Sequence, residues 1–181
     1  MTGAAGHGIR AHHKGNRAAT SANQNLTVTA ANVSGSERGI FATNDAKTIY
    51  GSKTTNVNVN GIVTGGTGAG TQTQISNGTK ANRMTNITLN AGAAVGSANG
   101  VAILDDESRS TITINDGAGV NGSIILGGGD DTVAVTGGQP QSKPTMAVPA
   151  RCALAPPPQP RITHPDNWRP VDPGYLLGRS G

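Results

Sequence analysis

The chain has 181 residues and a formal net charge of +4 at neutral pH, with 27 glycines, ten prolines, one cysteine and aromatic residues at only 2%. A single cysteine excludes an internal disulfide framework and any cysteine-based zinc site, and the length suits one domain with an appendage. The charge does not point to nucleic acid: residues 1–138 hold nine Lys/Arg against eight Asp/Glu, the remainder five against two, and no basic run is interleaved with aromatics.

The first fifteen residues, MTGAAGHGIRAHHKG, lack the apolar core of a signal peptide, and no run approaches the ~18 apolar residues of a spanning helix. His7, His12 and His13 are the first group with metal-binding chemistry. Adjacent histidines on a strand point to opposite faces, so His12 and His13 do not make a two-ligand set by themselves. The expectation is an exposed first strand and no assigned metal.

From Gly8 onward the chain repeats. Gly8-Ile9 returns as Gly39-Ile40, Gly70-Thr71 and Gly100-Val101, at steps of 31, 31 and 30 residues. A second marker keeps the same pace: LTV at residues 26–28, VNV at 57–59, ITL at 87–89, then ITI at 112–114 after a shorter step of 25. Within each copy apolar residues alternate with small polar ones, which puts every second side chain on one face of a strand. Val, Ile and Thr suit that pleated surface, and the Gly/Asn/Ser clusters between them are turn formers. No segment has the apolar spacing of a helix.

A unit this short cannot bury its own apolar face, so neighbouring copies must stack and share one core. The predicted fold is all-β, a right-handed parallel β-solenoid (β-helix) of about four to six coils, its interior filled by Val, Ile, Leu and Ala. The domain runs over residues 1–138.

Carboxylates come late in this domain. Asp105, Asp106 and Glu107 lie in one predicted turn and Asp130 and Asp131 in another, within LGGGDDTVAV at residues 126–135. The second turn is close to a glycine- and aspartate-rich calcium β-roll repeat, but it fits only with one residue deleted and has no second copy. Asp105 and Asp106 stacked on Asp130 and Asp131 would supply oxygen ligands for calcium. The plainer reading, which we adopt, is that the glycines permit a turn and the aspartates solvate it. A β-helical polysaccharide lyase or hydrolase would use Asp105, Asp106 or Glu107, yet no carboxylate recurs at strand positions beside Arg or Lys, and no GxSxG is present. No catalytic, cofactor-binding or metal residue is therefore assigned, and no cofactor is expected. Asn-x-Ser/Thr triplets, among them those at Asn25, Asn32, Asn77 and Asn86, are read as turn and ladder asparagines.

The motifs TVTAANVSG, VNVNGIVTGG and ITLNAGAAVGS, ending in GSIILGGGDDTVAV, together resemble the passenger region of Gram-negative autotransporter outer-membrane proteins over residues 6–138. The resemblance implies export, a β-helix displayed at the cell surface or secreted, and an adhesive or virulence-related role without catalysis. It implies host-cell or matrix surfaces or carbohydrate as partners, with self-association through strand edges, and a parent anchored in the outer membrane.

Residues 139–181 change regime: all ten prolines fall between Pro140 and Pro173, with Cys152 and Trp168. This Pro-rich tail has no alternation and is expected to be irregular and disordered. Either it is a semi-extended linker around APPPQP, or it is read in the wrong frame after a frameshift near Gly138. The abruptness of the break favours the second, with the domain a fragment that lacks its signal peptide and its β-barrel translocator.

Overall fold

The computed structural model describes residues 2–3, 6–15, 23–46, 51–77, 80–137, 145–147 and 153–154. Over these residues the chain is all-β, apart from one 3-10 turn at Lys80–Asn82. The strands are β1 (Thr2–Gly3), β2 (Ile9–His13), β3 (Gln24–Ala30), β4 (Val33–Gly35), β5 (Ile40–Asn44), β6 (Lys53–Val59), β7 (Ile62–Gly65) and β8 (Thr71–Ile75). They continue as β9 (Arg83–Leu89), β10 (Ala94–Asp105), β11 (Arg109–Ile114), β12 (Gly119–Ile125), β13 (Thr132–Val135), β14 (Thr145–Ala147) and β15 (Ala153–Leu154).

Every pairing among these strands is parallel. Six strands form one sheet in the order β15-β13-β11-β9-β6-β3, and the other nine form a second. The nine-stranded sheet has two wings because the twelve-residue β10 serves both. Its start pairs with β7 through residues 94–97 and its end with β8 through residues 103–105. Parallel neighbours need a crossover between them. Here the crossover is the rest of the pass: β5, β6 and β7 are laid down in turn, one per wing or sheet, and β8, β9 and the start of β10 are laid on them. This course is consistent with a parallel β-solenoid.

Alternation sets what faces inward. In β6, Lys53, Thr55, Val57 and Val59 are buried while Thr54, Asn56 and Asn58 are not. Stacked in register, the inward positions make columns: Val28, Val57, Ile87, Ile112 and Val133 in the six-stranded sheet, and Val33, Val63, Val95 and Val120 in one wing. Branched side chains repeated at the ~4.8 Å strand spacing fill such columns without gaps, and each fully buried one contributes roughly 1.5–3 kcal/mol. These columns belong to one hydrophobic cluster.

Two markers pair differently from their sequence alignment. Ile9 pairs with Ile40 and Ile40 with Thr71 as the step of 31 predicts, but Thr71 pairs with Ile103, so Ala102-Ile103 rather than Gly100-Val101 fills the next slot. Likewise Val57 lies on Val28, two residues on from the match of residues 57–59 with 26–28. A slip of two residues keeps the same side chains on the same face, so alternation alone does not resolve it. The boundary near residue 138 falls on residues outside those described. Beyond it, β14 pairs with β12 and β15 with β13.

Candidate functional site

The interior is not apolar throughout, which corrects the expectation of a core of Val, Ile, Leu and Ala. At the corner where the chain leaves β5, β8 or β10 for β6, β9 or β11, the inward residues are Asn44, Lys53, Thr55, Thr73, Thr85, Asp105, Ser108 and Ser110. Asp131 joins them from just before β13. Among the described residues, the three buried charged side chains, Lys53, Asp105 and Asp131, all lie in this corner, at 1%, 2% and 4% exposure. In sequence, the intervals between the flanking strands are residues 14–23, 45–52 and 76–82 in the first three passes, then only 106–108.

Asp105 ends β10 and is held by hydroxyl groups from β8, from β11 and from the turn between β10 and β11. Thr73 Oγ1 donates to its Oδ1, while Ser108 Oγ at 2.7 Å and Ser110 Oγ at 2.5 Å donate to its Oδ2. Thr85 Oγ1 bonds Ser108 Oγ at 2.7 Å and extends the network to β9. Burial pushes the Asp105 carboxyl above the ordinary aspartate range, against the hydroxyl donors, which lower it. Asp131 is also raised, first by burial and further by the neighbouring Asp130, with the Ser110 N–H and hydroxyl opposing. Ser110 thus links both carboxylates: its hydroxyl serves Asp105 and its N–H donates to Asp131 Oδ1 at 2.8 Å.

Nearer the surface, Asp45 gathers a second set. His12 Nε2 is 2.8 Å from its Oδ2, Ser76 Oγ donates to its Oδ1, and Asn77 Nδ2 donates to its main-chain oxygen at 3.1 Å. Burial raises the Asp45 carboxyl, but the hydrogen bonds from Ser76 and His12 and the nearby positive charges outweigh it and leave it lowered. Lys53 Nζ donates to the Ser76 carbonyl at 2.6 Å. Burial and Arg83 push the Lys53 ammonium down, with Asp45 acting the other way. Ser76, His12 and Asp45 are a serine, a histidine and an aspartate in one place, but the connectivity is wrong for nucleophilic catalysis. The serine hydroxyl is bonded to the carboxylate instead of the imidazole that would take its proton.

The sequence candidates separate in space. His7 Nδ1 sits 3.7 Å from Glu37 Oε2 with its ring 5.0 Å from Phe41, His12 meets Asp45, and His13 Nε2 meets Gln24 Oε1 at 3.1 Å. Among the described residues, no group of three or more His, Cys, Asp or Glu is placed to hold a metal ion. The stacking of Asp105 and Asp106 on Asp130 and Asp131 is overturned by the register: Thr132 pairs with Thr111, so Asp131 lies on Ser110 and not on a carboxylate. Asp131 is buried rather than solvating its turn, whereas Asp130 and Glu107 are exposed. The glycines of this run answer to close approach: a Cβ on Gly127 would collide with the Asp106 carbonyl, and one on Gly129 would lie 2.7 Å from the Ser108 oxygen.

The ladder reading of the asparagines has direct counterparts. Asn86 Nδ2 donates to Asn56 Oδ1 at 2.9 Å, and Asn32 Oδ1 accepts from the Ile62 N–H at 3.0 Å. At the opposite end of the six-stranded sheet Asn90 donates to Asn60 at 2.6 Å, Asn115 to Asn90 at 3.3 Å, and Thr136 to Asn115 at 3.1 Å. Each pass is thereby tied to the next by side chains as well as by the main chain.

Comparisons with models of known protein families, with curated proteins and with solved structures found no match. No helix among the described residues is long and apolar enough to cross a membrane.

Proposed function

We propose that the chain is a right-handed parallel β-solenoid of about four to six coils with a structural or adhesive, non-catalytic role. In this reading it is the passenger region of a Gram-negative autotransporter, secreted or displayed at the cell surface from an outer-membrane-anchored parent. The right hand follows from the strong preference of parallel crossovers. The motifs quoted above support the autotransporter parentage. The observation that carries the binding role is the outward side of the six-stranded sheet. There Thr27, Asn56, Asn86 and Thr111 stand in one column and Thr29, Asn58, Thr88 and Thr113 in the next. These two uncharged columns, with Arg109 in the column beside them, repeat their donors and acceptors strand after strand, a chemistry suited to carbohydrate hydroxyls or an extended matrix protein.

The test is binding of the full chain to a panel of glycans and matrix proteins, beside a variant carrying Asn58→Lys and Thr88→Lys. Saturable binding that the variant loses while keeping its circular dichroism supports the reading. Turnover of a polysaccharide by the wild-type chain would overturn it in favour of a carbohydrate-active enzyme. That alternative requires Asp105, Asp106 or Glu107 at the substrate, and Asp105 is committed to three buried hydroxyls. Surface display is checked separately, by protease shaving of intact producing cells.

A further inference from the structure

Four Asn-Gly pairs occur in the domain, at Asn60, Asn77, Asn99 and Asn121, and the fold treats three of them very differently. Asn99 is pinned: its Oδ1 accepts from the Val101 N–H at 2.9 Å and from Ser97 Oγ at 2.6 Å, and its Nδ2 donates to the Thr67 carbonyl at 3.0 Å. Asn60 accepts from Asn90 at 2.6 Å as the first rung of the asparagine ladder. Asn121 is exposed, and among the described residues its side chain makes no hydrogen bond. It lies in β12, which pairs there with β10 and, among the described residues, meets β14 from Ser123 onward. The next residue, Gly122, has φ of +126° and offers no side chain to shield its nitrogen. Asn77 precedes Gly78, which lies outside the described residues.

We infer that Asn121 is a site of spontaneous covalent modification, converting to aspartate and isoaspartate through a cyclic imide with Gly122. The Gly122 main-chain nitrogen gives up its proton and attacks Asn121 Cγ. The Cγ–Nδ2 bond breaks, and the amide nitrogen leaves as ammonia carrying that proton. Water then adds to either carbonyl carbon of the ring and opens one of its two C–N bonds. One opening leaves an ordinary aspartate, the other a β-linked residue with one more carbon in the main chain. Both products place a negative charge on this surface. The β-linked product also lengthens β12 between Asn121, which pairs with Gly96, and Ser123, which pairs with Val101, at the point where the register already shifts. Substituting the glycine is not open to the chain, because a Cβ on Gly122 would lie 2.5 Å from the Gly100 oxygen and the φ is one that L residues avoid.

The side chain must be free for the ring to close, so each pinning hydrogen bond has to open first. In the folded full chain at mildly alkaline pH, followed over days by peptide mass spectrometry with fragmentation to locate the change, Asn121 converts first. Asn99 is expected to lag by about tenfold or more, from the hydrogen bonds it must break, and Asn60 by less. In denaturant the three rates converge, which separates the effect of the fold from that of the sequence. An Asn121→Gln variant loses the change at that position and keeps the slow ones. Conversion of Asn99 or Asn60 as fast as Asn121 in the folded chain, or an unchanged Asn121, would overturn the inference.

Discussion

Asp105 keeps a carboxyl group in the interior on donors from Thr73, Ser108 and Ser110. Its raised pKa, like that of Asp131, fixes the sign of a pH effect. Between the unfolded aspartate value, about 3.9, and the raised folded values, the folded chain holds protons that the unfolded chain has released. The stabilisation from these two groups is therefore full below the unfolded value and is lost as pH rises through the folded ones. Asp45, whose pKa is lowered, runs the other way and loses its contribution as pH falls through its folded value. Asp105→Asn removes one titrating group, so wild type minus variant stability, read from urea midpoints, should be larger at pH 4 than at pH 7. Asp105→Ala should cost about 1–3 kcal/mol at either pH, because it strands buried hydroxyl donors. The position of this site was only half legible. Alternation places Thr55, Thr85 and Ser110 on the same face as Val57, Ile87 and Ile112, but reading Thr and Ser as good strand formers hides that they point inward at one corner.

At the scale of the strand, the glycine run before β13 separates two roles that its sequence shows as one. Gly129→Ala pushes a Cβ to 2.7 Å from the Ser108 oxygen, whereas a Cβ on Gly128 meets nothing within 4 Å. The first substitution should destabilise the β11–β13 pairing by about 1–3 kcal/mol, visible as faster amide exchange at residues 132–135. The second should stay within about 0.5 kcal/mol of wild type. Equal effects from the two would mean that β13 does not lie where its register puts it. In the middle of the stack, Ile87→Ala should cost about 2–5 kcal/mol of global stability by chemical denaturation, because Val57 and Ile112 cap the cavity from both sides. Within residues 1–138 strand type and the inward face were readable from period-two alternation, whereas β14 and β15 lie in the segment that shows none. Register was readable only to within two residues, as the Gly100 and Leu26 markers demonstrate, and the corner connections follow no period at all.

Across the whole molecule, calcium offers the plainest test of how the turns are held. Asp131 is bound to Ser110 and Asp105 to hydroxyls, so the melting temperature of the full chain is expected to be the same with added calcium and with chelator. A rise with calcium would show that the carboxylates of residues 105–106 and 130–131 converge after all. The step between paired positions also contracts along the stack, from 30 residues between Val57 and Ile87 to 25 between Ile87 and Ile112 and 21 between Ile112 and Val133. Parallel pairing throughout carries a mechanical consequence. The ladder hydrogen bonds point along the stack, so tension applied in that direction concentrates on the bonds of a single interface and peels the chain away one layer at a time. Tension applied along the strands loads every bond of a pair together, in shear, and the same molecule resists it far more strongly.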